Sequence, residues 1–177
     1  MTQWRSTTIL AVRRDGRLAV AGDGQVTLNN TVVKQRARKV RRIYHDRIIV
    51  GFAGATADAL NLSERLEGKL ERYNGSLMRA AVELAREWRS DKYLRRLEAL
   101  MIAADKEKML LISGSGDVIE PDGAVLAIGS GAVAAQAAAE ALLGHTRLDA
   151  RAVVAAAMEI AAGICVFTNS NVSIEEM

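Results

Sequence analysis

Proline and cysteine each occur once in the 177 residues, and aromatic side chains make up only 4% of them. A lone cysteine, Cys165, allows no intrachain disulfide and gives no sign of an oxidising compartment. With one proline and 14 glycines there is no Pro/Gly-rich linker, collagenous repeat or low-complexity tract, so the whole chain is expected to fold. The scarcity of aromatics leaves few platforms for stacking nucleic-acid bases. His45 and His145 are too isolated to suggest a metal site or a triad, and both fall where exposed turns are expected. No segment approaches the ~20 apolar residues of a membrane span, and Met1 to Ser6 lack the apolar stretch of a secretory signal. A soluble cytoplasmic protein is the simplest expectation.

What is present is a half-apolar chain with 24 basic and 21 acidic residues, a net charge of +3. That is a mixed surface and enough apolar material for one domain with a substantial core. Thr7 to Val12 read as a strand, Arg13 to Gly16 as a hairpin turn, and Leu18 to Ala21 as the return strand ending at Gly22-Asp23-Gly24. Arg47 to Phe52 form a further apolar strand. The period then changes: Leu62, Leu66, Leu70 and Tyr73 share one helical face, and Leu77, Ala81, Leu84 and Trp88 share another, with Ser76 as its N-cap. Strands recur at Ala99 to Ala104, Met109 to Ile112, Val118-Ile119 and Val125 to Ile128. An Ala-rich helix follows to about Leu143. Asp149 then caps a last helix carrying Val153, Ala157, Ile160 and Ile164, and Val166 to Ile174 can add one strand. Strands, two helices, strands, two helices: this order fits two antiparallel sheets between helix layers, an α+β fold, better than a regularly alternating parallel sheet.

Three segments bear on chemistry. Thr7-Thr8-Ile9 enters the first strand, and a Thr at a free N-terminus supplies both a nucleophilic hydroxyl and, in its α-amine, the base that takes the proton. An α-amine with a pKa near ~8 is partly neutral at physiological pH, as a general base must be. A Thr pair on a strand is otherwise an ordinary β-propensity choice. Gly129-Ser130-Gly131-Ala132-Val133-Ala134 matches the GxGxxA of a dinucleotide fingerprint, with Asp149 further on, although Asp149 is placed to open a helix instead of ending a parallel strand. Lys34, Arg36, Arg38, Lys39, Arg41 and Arg42, with Tyr44 nearby, form a basic stretch that could meet nucleic acid but is more simply a solvated face.

Taken in register, TTI at 7–9, AGDGQVTL at 21–28, KVRRIY at 39–44, GFAGATADA at 51–59, RRLEAL at 95–100 and AIGSG at 127–131 run along the chain, with AREWR at 85–89 and ICVFTN at 164–169. In these segments the sequence closely resembles the HslV family, the proteasome-like peptidases of bacterial ATP-dependent two-component proteases. The resemblance covers the chain from Thr7 almost to its end. It implies a four-layer αββα sandwich of the N-terminal nucleophile hydrolase type, residues 7–177 forming one peptidase domain and residues 1–6 a propeptide removed on maturation.

Carried over position by position, the resemblance makes Thr7 the nucleophile, Lys39 the cation beside it, and Asp23 the carboxylate that pairs with Lys39. It makes the Gly51 N–H the donor to the oxyanion, and Ser130 a hydrogen-bonding group near the α-amine. Ala162, Cys165 and Thr168 match positions whose backbone carbonyls bind a structural cation, Na⁺ or Mg²⁺, although Ala162 stands where the family has glycine. Cys165 is then expected to be a buried structural thiol. The resemblance further implies two stacked hexameric rings enclosing the threonines, and unfolded substrates delivered by an HslU-type ATPase. It implies neither nucleic acid nor membrane as a partner, and no organic cofactor. Six residues precede Thr7, so cleavage between Ser6 and Thr7 is required; removing Met1 alone would expose Thr2, which lacks the TTI context.

Overall fold

The computed structural model describes residues 4–5, 7–54, 56–94 and 99–177. Thr2, Ser6 and most of the RRLEAL segment therefore lie outside the described residues, so of the two residues flanking the expected cleavage only Thr7 is described.

The strands are β1 (Trp4–Arg5), β2 (Thr8–Arg14), β3 (Arg17–Asp23), β4 (Val26–Leu28), β5 (Thr31–Lys34), β6 (Val40–Ile43), β7 (Ile48–Ala53), β8 (Leu100–Ala104), β9 (Met109–Ser113), β10 (Val118–Ile119), β11 (Val125–Gly129) and β12 (Val172–Glu176). The helices are α1 (Thr56–Arg72), α2 (Leu77–Ser90), α3 (Ala132–His145) and α4 (Ala150–Ile164). One sheet has the order β11-β2-β3-β12, a second β10-β9-β8-β7-β6, and a small third β1-β4-β5. Every pairing is antiparallel.

Three apolar layers hold the sheets and helices together. Leu62, Leu66 and Leu70 of α1, with Leu77, Leu84 and Trp88 of α2, pack on Val50, Phe52 and Met101 of the five-stranded sheet. Val153, Val154, Ala157 and Met158 of α4, with Ala135 and Ala139 of α3, pack on Leu10, Val12 and Ala21 of the four-stranded sheet. Between the two sheets lie Ile9, Ala11 and Val20 from one and Val40, Ile49 and Ile102 from the other. Alternation along β2 makes this possible, since successive residues of a strand face opposite sides. The result is the αββα sandwich.

Among the described residues Trp88 is the largest fully buried side chain, and its indole N–H donates to Leu94 O at 2.9 Å. Truncation would leave both a cavity and an unmet carbonyl. We expect Trp88→Ala to cost about 3–5 kcal/mol, read as a lower midpoint in denaturant unfolding; an unchanged midpoint would show that the α2 layer does not hold the fold.

Several local expectations need correction. Ile160 and Ile164 do not share the buried face of α4; they are 44% and 67% exposed, while Met158 and Ala161 are buried beside Val153 and Ala157. Ser76 occupies the N-cap of α2 but its side chain makes no capping hydrogen bond. Asp149 does cap α4, accepting the Ala152 N–H at 2.8 Å. Cys165 is half-buried. The last strand begins only at Val172, because residues 165–171 form the turn that follows α4. The short strands β1, β4, β5 and β6 lie outside the sequence expectation, since two to four residues with mixed polarity give no periodic signal.

Candidate active site

The β2–β3 hairpin sets the geometry. Asp15 and Gly16, at φ of 52° and 75°, make a two-residue turn of the kind that matches strand twist, and register then pairs Ile9 with Gly22. Thr8 is thereby opposite Asp23 at the open end of the hairpin. Asp23 is fully buried and receives three donors: Thr8 N at 2.8 Å and Lys39 Nζ at 2.8 Å on Oδ1, and Gln25 N at 2.9 Å on Oδ2.

Lys39 comes from the other sheet, immediately before β6. Its ammonium lies between Asp23 and the carbonyl of Gln25, 2.5 Å away, with only 8% of the side chain exposed. Burial pushes its pKa below the ordinary lysine value, and the charge of and hydrogen bond to Asp23 pull it back up. The close approach of the sheets depends on Gly22, where a Cβ would lie 2.8 Å from Val40 Cγ2 and 2.9 Å from Ile9 Cδ1.

Thr7 directly precedes β2 and is 4% exposed. Its carbonyl accepts the Ser130 N–H at 2.8 Å and the Ser130 hydroxyl at 3.3 Å. Ser130 thus meets Thr7 at its carbonyl, from the turn joining β11 to α3. Gly129 stands at φ 97°, and a Cβ there would fall 1.9 Å from Thr7 O. At Gly131 a Cβ would fall 2.4 Å from Thr8 Oγ1 and 2.7 Å from Thr168 Oγ1. These glycines make room for the threonines, which accounts for the GxG without a pyrophosphate. Since β11 is antiparallel to β2 and Asp149 opens α4, the dinucleotide reading fails.

Gly51 lies in β7 opposite Val40 and Ile102; a Cβ there would be 2.4 Å from Ile9 Cγ2. Of the basic stretch, Lys39 is taken up by Asp23, and Arg42 Nε pairs with Glu175 at 2.8 Å, so it is not a uniform cationic face.

Ala162 lies in the last turns of α4, Cys165 is its C-cap, and Thr168 is buried in the turn beyond. Cys165 O accepts the Thr168 N–H at 3.0 Å, and Thr168 Oγ1 is 2.7 Å from Thr8 Oγ1, which also accepts the Gly131 N–H at 3.0 Å. Sequence reasoning missed Thr8, Gln25 and the side chain of Thr168 as members of this cluster. The signal that could have found Thr8 and Gln25 is their position beside Thr7 and Asp23 at strand ends.

The family model described as "Proteasome subunit" matches residues 4–177. The ATP-dependent protease subunit HslV of Sulfurihydrogenibium sp. is 61% identical over 177 residues, covering 100% of this chain and 99% of that protein. The subunit of the same name from Aquifex aeolicus is 60% identical over 173 residues, covering 98% of each. Among solved structures, eukaryotic HslV from Trypanosoma brucei matches with a TM-score of 0.91 and 47% identity, over 96% of this chain and 98% of that one.

Proposed function

Because the chain belongs to the proteasome-subunit family, among the HslV peptidases, we propose that it is a threonine-type endopeptidase whose nucleophile is Thr7. The observation that carries this reading is the buried Lys39–Asp23 pair, 2.8 Å apart, at the end of the hairpin whose first strand Thr7 directly precedes.

Once Thr7 is the N-terminus, its hydroxyl attacks the substrate carbonyl and its α-amine accepts the proton. The tetrahedral intermediate then collapses to an ester on Thr7, its C–N bond breaking as the amine half of the substrate takes that proton and leaves. Water hydrolyses the ester to free the acid half and the Thr7 hydroxyl. A buried ammonium favours the deprotonated hydroxyl and the neutral amine, and Asp23 offsets the cost of burying that charge. Ser130, already on the Thr7 carbonyl, orients the residue. Gly51 is restricted to glycine by Ile9 packing, but its place inside β7, with Phe52 N–H on Lys39 O and Gly51 opposite Ile102, turns its N–H into the ladder with β8 and away from an oxyanion.

A hard cation, Na⁺ or Mg²⁺, is proposed at the carbonyls of Ala162, Cys165 and Thr168. Ala162 and Cys165 fit: they stand at the end of α4, where carbonyls lack intrahelical partners at the negative end of the dipole, and although Cys165 O accepts the Thr168 N–H, a carbonyl has a second lone pair for a hard cation. Among the described residues no group of three or more His, Cys, Asp or Glu could hold a metal instead. Its role would be to order the turn that meets Thr8.

The peptidase is proposed to assemble as two stacked hexamers and to receive unfolded proteins in the cytoplasm from an HslU-type ATPase, which keeps an unselective nucleophile away from folded proteins. No described helix is long and apolar enough to cross a membrane.

The test is maturation. Intact mass of the purified protein should correspond to loss of residues 1–6, and N-terminal sequencing should begin Thr-Thr-Ile. Active protein that still carries residues 1–6 would sink the mechanism, because an internal Thr has no α-amine.

A further inference from the structure

Gln25 lies on the connection between β3 and β4 and is 6% exposed. Its main chain touches both members of the ion pair: the N–H donates to Asp23 Oδ2 at 2.9 Å and the carbonyl accepts Lys39 Nζ at 2.5 Å. The side chain is anchored elsewhere. Both hydrogens of its amide nitrogen are used, one on Thr27 Oγ1 at 3.0 Å and one on Val166 O at 2.9 Å.

Val166 belongs to the turn between α4 and β12, and that turn grips the same connection a second time. Asn169 Oδ1 accepts the Gly24 N–H at 3.1 Å, and Asn169 Nδ2 donates to Gln35 O at 2.9 Å. Gly24 is held to glycine because a Cβ would lie 2.4 Å from Gln35 O. The peptide that accepts Lys39 is therefore clamped between β4 and the α4–β12 turn.

We infer that Gln25 is a positioning residue for Lys39: its buried amide fixes the peptide carbonyl that shares the ammonium with Asp23, and so directs that charge toward Thr7. An ammonium has three N–H donors, and fixing two acceptors fixes the direction of the third. Displacing a group by ~1 Å in a pre-organised site can cost ~10²-fold in rate. The inference rests on the reading of Thr7 and Lys39 as catalytic. It adds that the α4–β12 turn, distant in sequence, sets the position of the Lys39 charge.

Gln25→Met keeps the length of the side chain and removes both N–H donors. Hydrolysis of a fluorogenic peptide is measured with an HslU-type ATPase and ATP, on protein verified to begin at Thr7. The expected result is a kcat lower by roughly 10–100-fold with KM within about twofold of wild type. Thr27→Val, which removes one of the two anchors, should lower kcat in the same sense, and Thr27→Ser, which keeps the hydroxyl, should restore it. A wild-type kcat in Gln25→Met, or a loss confined to KM, overturns the inference. Should Gln25→Met fail to fold, the Thr27 pair decides: equal kcat for Val and Ser overturns it. An active Lys39→Met protein would instead overturn the catalytic reading beneath it.

Discussion

Thr7→Ala is expected to lower peptide hydrolysis, assayed with an HslU-type ATPase and ATP, by roughly 10⁴-fold or more, since loss of a nucleophile removes the covalent route altogether. The substitution should leave the site otherwise standing. What Thr7 contributes to the hydrogen bonds with Ser130 is its carbonyl, which alanine retains. Folding and assembly should therefore be close to wild type, separating chemistry from structure. Processing needs separate treatment, because a chain that cannot cleave itself keeps residues 1–6 and blocks its own site. A Thr7→Ala chain preceded only by a removable methionine resolves this. If that protein hydrolyses the peptide at the wild-type rate, Thr7 is not the nucleophile; Thr7→Ser, which keeps a hydroxyl, should retain part of the rate.

Breaking the Lys39–Asp23 pair is expected to have the next largest effect, on stability as well as on rate. Asp23→Ala leaves a buried ammonium without its counter-charge and strands the N–H groups of Thr8 and Gln25. Removing one partner of a buried pair costs about 3–5 kcal/mol. For a domain of this size that is a fall of roughly 6–20 °C in Tm. Lys39→Met should cost less, because the carboxylate keeps two backbone donors. Both variants should lose most of their activity.

The pH dependence has a definite sign. Burial lowers the pKa of Lys39, and Asp23 opposes the shift. Without Asp23 the lowering is unopposed, so the unfolded chain binds the extra proton over the window between the folded pKa and the ordinary lysine value of about 10.4. Stability of Asp23→Ala should therefore rise with pH through that window, and its deficit relative to wild type should shrink as pH rises from the variant's folded Lys39 pKa to the less strongly lowered folded pKa of the wild type. A deficit that is constant with pH would mean that Lys39 is not the group left stranded.

Much of this site could be read before any coordinates, and the reason is local. The Asp15-Gly16 turn needs positive φ at two successive positions, a demand that the residues themselves advertise, and it fixes the register that brings Thr8 opposite Asp23. The leucines of α1 and the Leu77–Trp88 face of α2 announce buried stripes through their spacing, and both are buried. Where the pattern was weak, reading failed. The Ala-rich α4 has apolar residues on every side, so Ile160 and Ile164 looked no less buried than Val153 and were misplaced. Segment 34–42 reads as a surface of cations, yet Lys39 within it is the most consequential buried charge of the molecule.

Two kinds of information thus divide the protein. Turn chemistry and hydrophobic period determined by themselves the four helices, the longer strands and their order, and the run of motifs from TTI to AIGSG, through the family resemblance, the residues expected to act. Only the tertiary structure decided why Gly129 and Gly131 are glycines, that Asp23 gathers three donors, and that Gln25 ties the ion pair to the turn after α4. The physical reason is range. Backbone preference and periodicity act over a few residues and leave marks in neighbouring letters. A steric limit of 1.9 Å between residues 129 and 7, or a hydrogen bond between residues 25 and 166, joins positions that only the pairing of sequence-distant strands within the β11-β2-β3-β12 sheet brings together.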